Sequence, residues 1–287
     1  MARQTRTSSL AMKFSLRAGA RTIRYALPRH VGRLLPVPDA GHIAGQGARL
    51  NRKGCAMTAG YFQAEDAPPD AIAAANIAMA GLLGAQGPGS YLSVKAPPLA
   101  FDPALLGSIA QAAEAAGIGL LLDAHAPKDA DATLALAAAL PGIGIALPAR
   151  WPRSAGDAAH FRNAPIRIRL VKGEWADPQG DVPDIAKAYL AIVRSLAGRK
   201  APVAIATHDP ALAEAALAAL QQAGTPCELE QLRGLPRRRP MAIARRLGVP
   251  VRLYLPFGPG WWPYALNNAL ARPHLPLWAA RDLLGLK

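Results

Sequence analysis

Cysteine, metal-ligand spacings, phosphate loops and long apolar runs are scarce or missing in this 287-residue chain, and each absence narrows its chemistry. Cys55 and Cys227 are the two cysteines; they form no Cys-x-x-Cys pair and no disulfide framework, so a reducing compartment is the default expectation. The histidines at positions 30, 42, 125, 160, 208 and 274 include no His-x-His or His-x-x-x-His pair, which argues against zinc hydrolysis. No Gly-x-Ser-x-Gly elbow is present, which argues against Ser/His/Asp catalysis of that type. No Gly-x-Gly-x-x-Gly or Walker A loop follows an apolar run, which removes the usual dinucleotide and nucleotide-triphosphate folds. No apolar run reaches the ~18 residues that a membrane helix needs. The best candidate, residues 71–84, is shorter and is interrupted by Asn76.

Acidic residues are scarce at the start. Residues 1–53 hold eleven Lys/Arg and one acid, Asp39, so most of the net charge of +14 lies there. Such a start suits an anionic membrane surface, nucleic acid, a targeting peptide or plain solvation. Its aromatics are limited to Phe14 and Tyr25, too few for base stacking, so no nucleic-acid partner is expected. The expected organisation is a basic, flexible segment over residues 1–48, followed by one domain over residues 49–287. The 51% hydrophobic content supports a single large core.

What the chain does have is a repeated theme. Short runs rich in Val, Ile and Leu alternate with Ala/Leu-rich, helix-sized stretches. The runs cover residues 90–96, 118–124, 143–149, 166–173, 203–208, 226–232 and 249–256, with a weaker one at 56–62. Continuous apolar runs of this length suit strands buried on both faces, and alternation with helices implies parallel βαβ units. The helix-sized stretches are residues 103–116, 130–140, 185–197, 210–222, 240–247 and 263–271, several opening with Pro in the favoured first turn. Eight units predict an α/β fold of the closed (β/α)8 TIM-barrel type; a doubly wound open sheet is the alternative.

In such a barrel the site lies at the carboxyl ends of the strands. Those ends carry Lys95, Asp123, Arg169 with Lys172, His208, Glu230 and Tyr254. Any one of them could be a helix cap or a surface residue. Their convergence from six units points to a site. Three cations there suit an anionic ligand or a phosphate-bearing cofactor.

Four segments in register carry a resemblance: Ser93-Val94-Lys95, Arg169 to Gly173 (RLVKG), Ala206-Thr207-His208, and Val251 to Tyr264 (VRLYLPFGPGWWPY). From about Leu50 onward the chain resembles the proline dehydrogenase family. That resemblance implies a (β/α)8 barrel carrying FAD, oxidation of L-proline to pyrroline-5-carboxylate by hydride transfer, and a membrane quinone as electron acceptor. It implies catalytic roles for Lys95, Asp123, Arg169 and Tyr254. Arg169, Val171, Lys172, Gly173, Thr207, His208 and Glu230 would meet the cofactor. Lys95, Leu232, Tyr254, Asn267 and Asn268 would meet the substrate.

The chain also departs from the family pattern. Asn267-Asn268 stands where the family has an arginine pair for the proline carboxylate, and Ala271 stands for a nearby glutamate. Pro148 and Glu230 replace glutamines, Asp209 replaces an asparagine, and Glu174-Trp175-Ala176 follows the Lys-Gly turn. The expectation is therefore a flavin oxidoreductase of proline or of a related cyclic amine, with a non-catalytic or regulatory barrel as the alternative. No metal is expected. The expected place is cytoplasmic, peripheral at the inner face of the membrane.

Overall fold

The structure, a computed structural model, describes residues 35–86 and 89–271 together with residues 277 and 280. The expectations for residues 1–34 lie outside the described residues. Eight parallel strands close into one barrel in sequence order. They are β1 (Cys55–Tyr61), β2 (Tyr91–Val94), β3 (Gly119–Leu122), β4 (Gly144–Pro148), β5 (Ile168–Val171), β6 (Val203–Ala206), β7 (Cys227–Leu232) and β8 (Val251–Phe257). The helices are α1 (Ala40–Asn51), α2 (Pro69–Gly84), α3 (Pro103–Ala115), α4 (Ala130–Ala139), α5 (Ser154–His160), α6 (Ile185–Leu196), α7 (Pro210–Gln222), α8 (Arg238–Arg246) and α9 (Trp261–Ala271). This is the (β/α)8 barrel that the alternating pattern predicts, and every strand falls within its predicted run to within one residue.

The weakest run makes the most extensive pairing. β1 pairs with β8 over its whole length, from Cys55 opposite Val251 to Tyr61 opposite Phe257, and so closes the barrel. Its low strand signal has a local cause. Gly60 leaves the space that the Tyr254 ring and hydroxyl occupy, and any Cβ there would collide with them.

The main core lies between barrel and helices, where Leu83, Leu106, Ile109, Leu122, Ile205 and Leu217 are fully buried. Burying each such side chain contributes ~1.5–3 kcal/mol. The run at 71–84 falls in α2, whose Asn76 is buried and donates to the Ile72 carbonyl at 2.8 Å. That bond is what makes a polar residue tolerable in this apolar helix. Aspartates cap two of the helices that open on proline, α3 and α7: Asp102 accepts from Ala104 at 2.7 Å, and Asp209 from Ala211 at 3.1 Å and Leu212 at 3.2 Å.

Helices α1, α2 and α5 were not among the predicted stretches. The expected division at residue 48 falls inside α1, which Asp39 caps and whose Ile43 and Ala44 are buried. Among the described residues, no helix is long and apolar enough to cross a membrane.

Candidate active site

In most barrels of this type, branched apolar side chains fill the lumen. Here alternate residues of β5, β7 and β8, together with Arg167 just before β5, fill it with charge. Arg252 grips Glu228 at 2.7 and 3.2 Å and donates to the carbonyls of Met57 (2.6 Å) and Gly89 (2.8 Å). Arg167 pairs with Glu228 and, at 2.8 Å, with Glu230. The Tyr91 ring lies between Arg167, 4.6 Å away, and Arg252, 4.8 Å away. Arg169 continues the chain upward to Glu230 (3.2 Å), to Ser93 Oγ (3.1 Å) and to Asp123.

Three arginines thus meet three carboxylates; the arginines, Glu228 and Glu230 are buried and Asp123 is half-buried. Charges removed from water are tolerable only when so paired. Burial by itself would push the Glu230 carboxyl up. Arg169, Arg167 and Arg252 outweigh it and hold the group at about 2.

Above this column a cavity of about 1180 Å³ opens at the carboxyl ends of the strands. Its floor carries Lys95, Asp123, Arg169, Glu230 and Tyr254 from five different strand ends. The Tyr254 hydroxyl donates to Asp123 Oδ2 at 3.2 Å, and the Arg169 guanidinium lies 5.4 Å from its ring. Burial, ahead of its charged neighbours, keeps that hydroxyl well above the ordinary phenol range. Lys95 donates to the Tyr61 carbonyl at 2.9 Å and sits 3.9 Å from the Phe62 ring centre. Burial and then the Arg169 charge bring its ammonium down to about 7, with Glu174 opposing them. Lys95 therefore stands ready to hold or take a proton near neutrality.

The other predicted residues divide. Val171, Gly173, His208, Leu232 and Asn268 also line the cavity. His208 is a wall piece: Nδ1 bonds the Pro236 carbonyl at 2.7 Å, and Nε2 accepts from the Leu232 N–H at 3.2 Å. These partners assign it the neutral Nδ1–H tautomer. Lys172, Thr207 and Asn267 do not line the cavity. Lys172 pairs with Asp209 at 3.2 Å. Thr207 is buried and accepts the Asp209 N–H at 3.2 Å. Asp209 is thus a helix cap paired with Lys172. Of Asp209 and Glu230, Glu230 is the one that lines the cavity.

The roof was foreseen in part: α9 was expected, with Asn267 and Asn268 at the substrate, and residues 36–46 were not. It is α9 with residues 36–46, joined where Trp262 Nε1 donates to the Pro36 carbonyl at 2.8 Å. Phe62, Trp261 and Tyr264 form an aromatic cluster with ring centres 4.9–5.7 Å apart. Glu174 faces them from the loop after β5. It accepts from the Tyr264 hydroxyl at 2.6 Å and from Asn268 Nδ2 at 3.2 Å. Arg150 holds that loop, donating to the Glu174 carbonyl at 2.8 Å and pairing with Asp181; Trp151 Nε1 donates to the Trp175 carbonyl at 2.8 Å. A signal existed for this: Tyr264 and Asn268 are four apart on one helix, hence on one face, and Glu174 directly follows a strand-end Lys-Gly turn. Among the described residues, no three His, Cys, Asp or Glu side chains cluster as metal ligands.

No protein-family model and no curated protein sequence matches the chain. Solved structures do match. Proline utilization A from Bdellovibrio bacteriovorus, inactivated by N-propargylglycine, is 16% identical, with a TM-score of 0.70 over 82% of this chain and 32% of that one. The Bradyrhizobium japonicum protein is 17% identical, with a TM-score of 0.67 over 85% of this chain and 31% of that one. The Corynebacterium freiburgense protein is 20% identical, with a TM-score of 0.64 over 99% of this chain and 35% of that one. This chain therefore spans about a third of the length of the proteins it matches. At such identities the likeness is one of fold, and the barrel described here shares its architecture with the matched part of these proline utilization A structures.

Proposed function

We propose that the protein is a flavin-dependent oxidoreductase of the proline dehydrogenase type, acting on proline or a related cyclic amine. The observation that carries this reading is the meeting of Lys95, Asp123, Arg169 and Tyr254 at one cavity of a barrel with the proline utilization A architecture. The residues fit FAD in size and character. The cavity exceeds the ~300–1,000 Å³ of ordinary small-ligand sites. Its walls are largely apolar and aromatic, and Arg169 Nε is buried with no partner in the protein. Arg169, Val171, Gly173 and His208 are the residues that would hold the cofactor.

FAD held here would supply the two-electron acceptor for hydride loss from the ring carbon beside the substrate nitrogen, and the neutral amine would leave as the protonated cyclic imine. The protein's share is orientation and proton handling. Lys95, held at about 7, takes the proton from the substrate ammonium, since only the neutral amine readily gives up a hydride. Tyr254 and Leu232 supply an apolar wall that aligns the ring C–H bond. Asp123 fixes both the Tyr254 hydroxyl and the Arg169 guanidinium. The basic residues among the first 53 support a further part of the proposal: attraction to an anionic membrane surface, where a quinone could take the electrons.

The test is the visible spectrum of the protein after FAD is added and unbound flavin removed, followed by anaerobic titration with L-proline and with pyrrolidine. Retained flavin that bleaches with either amine is the expected result. One observation favours a second reading, a barrel that binds without turnover: Arg169 is already engaged by two carboxylates, Asp123 and Glu230. Failure to retain flavin would select that reading.

A further inference from the structure

We propose that the cavity takes a cationic amine that carries no carboxylate, and that Glu174 is the residue that sets this preference. The inference rests on the amine-oxidising reading above and names its substrate class.

Opposite α9, the loop after β5 presents one charged side chain to the cavity, the carboxylate of Glu174; Asp39 and Arg233 line other parts of it. Tyr264 and Asn268, the polar groups of α9 that line the cavity, both donate to it. A carboxylate has about four acceptor positions. Two are used here, which leaves others for a ligand N–H.

The loop that carries Glu174 is braced from outside the cavity. Arg150 holds the carbonyls of Gly173 (3.3 Å) and Glu174 (2.8 Å), and Trp151 holds that of Trp175 (2.8 Å). The acid is therefore presented in a fixed place. Around it stand Phe62, Trp175, Trp261 and Tyr264, whose ring faces attract cations.

Among the described residues, the cations that line the cavity already have partners that a ligand carboxylate would have to displace or share. Arg169 bonds Asp123, Glu230 and Ser93, which leaves only its buried Nε without a partner in the protein. Arg233 lies on the β7 side and is bonded to Gln46 of α1. Lys95, the base of the proposed reaction, gives one N–H to the Tyr61 carbonyl and lies against the Phe62 ring. A carboxylate placed under α9 would instead face Glu174 across the cavity, and like charges so placed repel. An aromatic-walled recess with a fixed acid thus selects for positive and against negative charge.

The experiment is binding of pyrrolidine and of L-proline to the purified full chain, read by tryptophan fluorescence and by calorimetry, with and without added FAD. Pyrrolidine should bind at least ~10-fold more tightly than L-proline, from the strength of a charge-assisted hydrogen bond. Glu174→Gln, and Glu174→Ala as a second variant, should cut that ratio by about 10-fold while leaving the circular dichroism unchanged. Tighter binding of L-proline, a ratio unchanged in both variants, or binding of neither amine would overturn the proposal. Flavin that bleaches with L-proline but not with pyrrolidine would also sink it, while leaving the oxidoreductase reading intact. Selective pyrrolidine binding by a protein that retains no flavin would do the reverse.

Discussion

Replacing Glu230 by glutamine tests the charge column directly. The change keeps the shape of the side chain and removes one of three negative charges that face three buried arginines. A carboxyl held at about 2, against 4.5 for an ordinary glutamate, corresponds to about 3 kcal/mol of stability at neutral pH. Breaking a buried ion pair typically costs ~3–5 kcal/mol. Two features of the structure lower that figure. Arg167 keeps Glu228 and Arg169 keeps Asp123, and the new amide oxygen still accepts one hydrogen bond. The expected loss for Glu230→Gln is therefore ~2–3 kcal/mol, read as a fall in urea midpoint with an unchanged slope.

The pH dependence adds a second check. The folded carboxyl is the stronger acid, so its contribution is complete above 4.5 and is lost as pH falls from there toward 2. The gap between wild type and Glu230→Gln should narrow over that range. A variant within ~0.5 kcal/mol of wild type at pH 7, or a gap that stays constant through the acid range, would refute the idea that Glu230 balances the arginines.

Lys95→Met should abolish any rise in amine oxidation or binding centred near pH 7, because Lys95 then no longer exchanges a proton there. Stability offers an independent reading of the same residue. The unfolded lysine keeps its proton up to 10.5 and the folded one only to about 7, so wild-type stability should climb between those values, a slope that titration of Lys95→Met in urea should lack. Gly60→Ala puts a methyl into the Tyr254 hydroxyl and ring. It should cost ~1–3 kcal/mol in denaturant melts and loosen the Tyr254–Asp123 bond, with near-ultraviolet circular dichroism reporting the displaced tyrosine. Tyr189→Phe removes a fully buried hydroxyl that donates to the Leu170 carbonyl at 2.8 Å, and a thermal melt should show a loss of ~1–2 kcal/mol. A melt indistinguishable from wild type would mean that this bond does not hold α6 to β5.

The barrel is legible in the sequence because parallel strands covered on both sides need continuous apolar runs, and these runs differ in length and composition from the helices between them. Helix starts are legible for the same local reason: Asp102-Pro103 and Asp209-Pro210 place a capping acceptor and a first-turn proline side by side. Where a local pattern is overruled, a tertiary demand does it. β1 reads as weak because Gly60 is kept small for Tyr254, a residue almost two hundred positions away. α2 gives little amphipathic signal because its face toward α3 and its opposite face are both rich in alanine and leucine.

The site is legible to a different depth, and the reason is geometric. The alternation in IRIRLV, CELEQL and VRLYLP places Arg167 and Arg169, Glu228 and Glu230, and Arg252 and Tyr254 on one side of their strands. From that alone they could face either lumen or helices. Which charge meets which depends on the stagger of the strands around the barrel: Ala206 lies opposite Glu230, and Glu230 opposite Arg252, yet the Glu230 carboxylate bonds across the lumen to Arg167 and Arg169. A strand-end arginine read alone looks available to an anion. Within the closed barrel two carboxylates reach it first. Glu174, which no strand pattern marks and which the Arg150 and Trp151 contacts fix in place, then turns its charge toward α9. On the proposal above, ligand preference follows from which strand-end charges the lumen has already neutralised, and among the described residues the side chain left facing α9 is the acid Glu174.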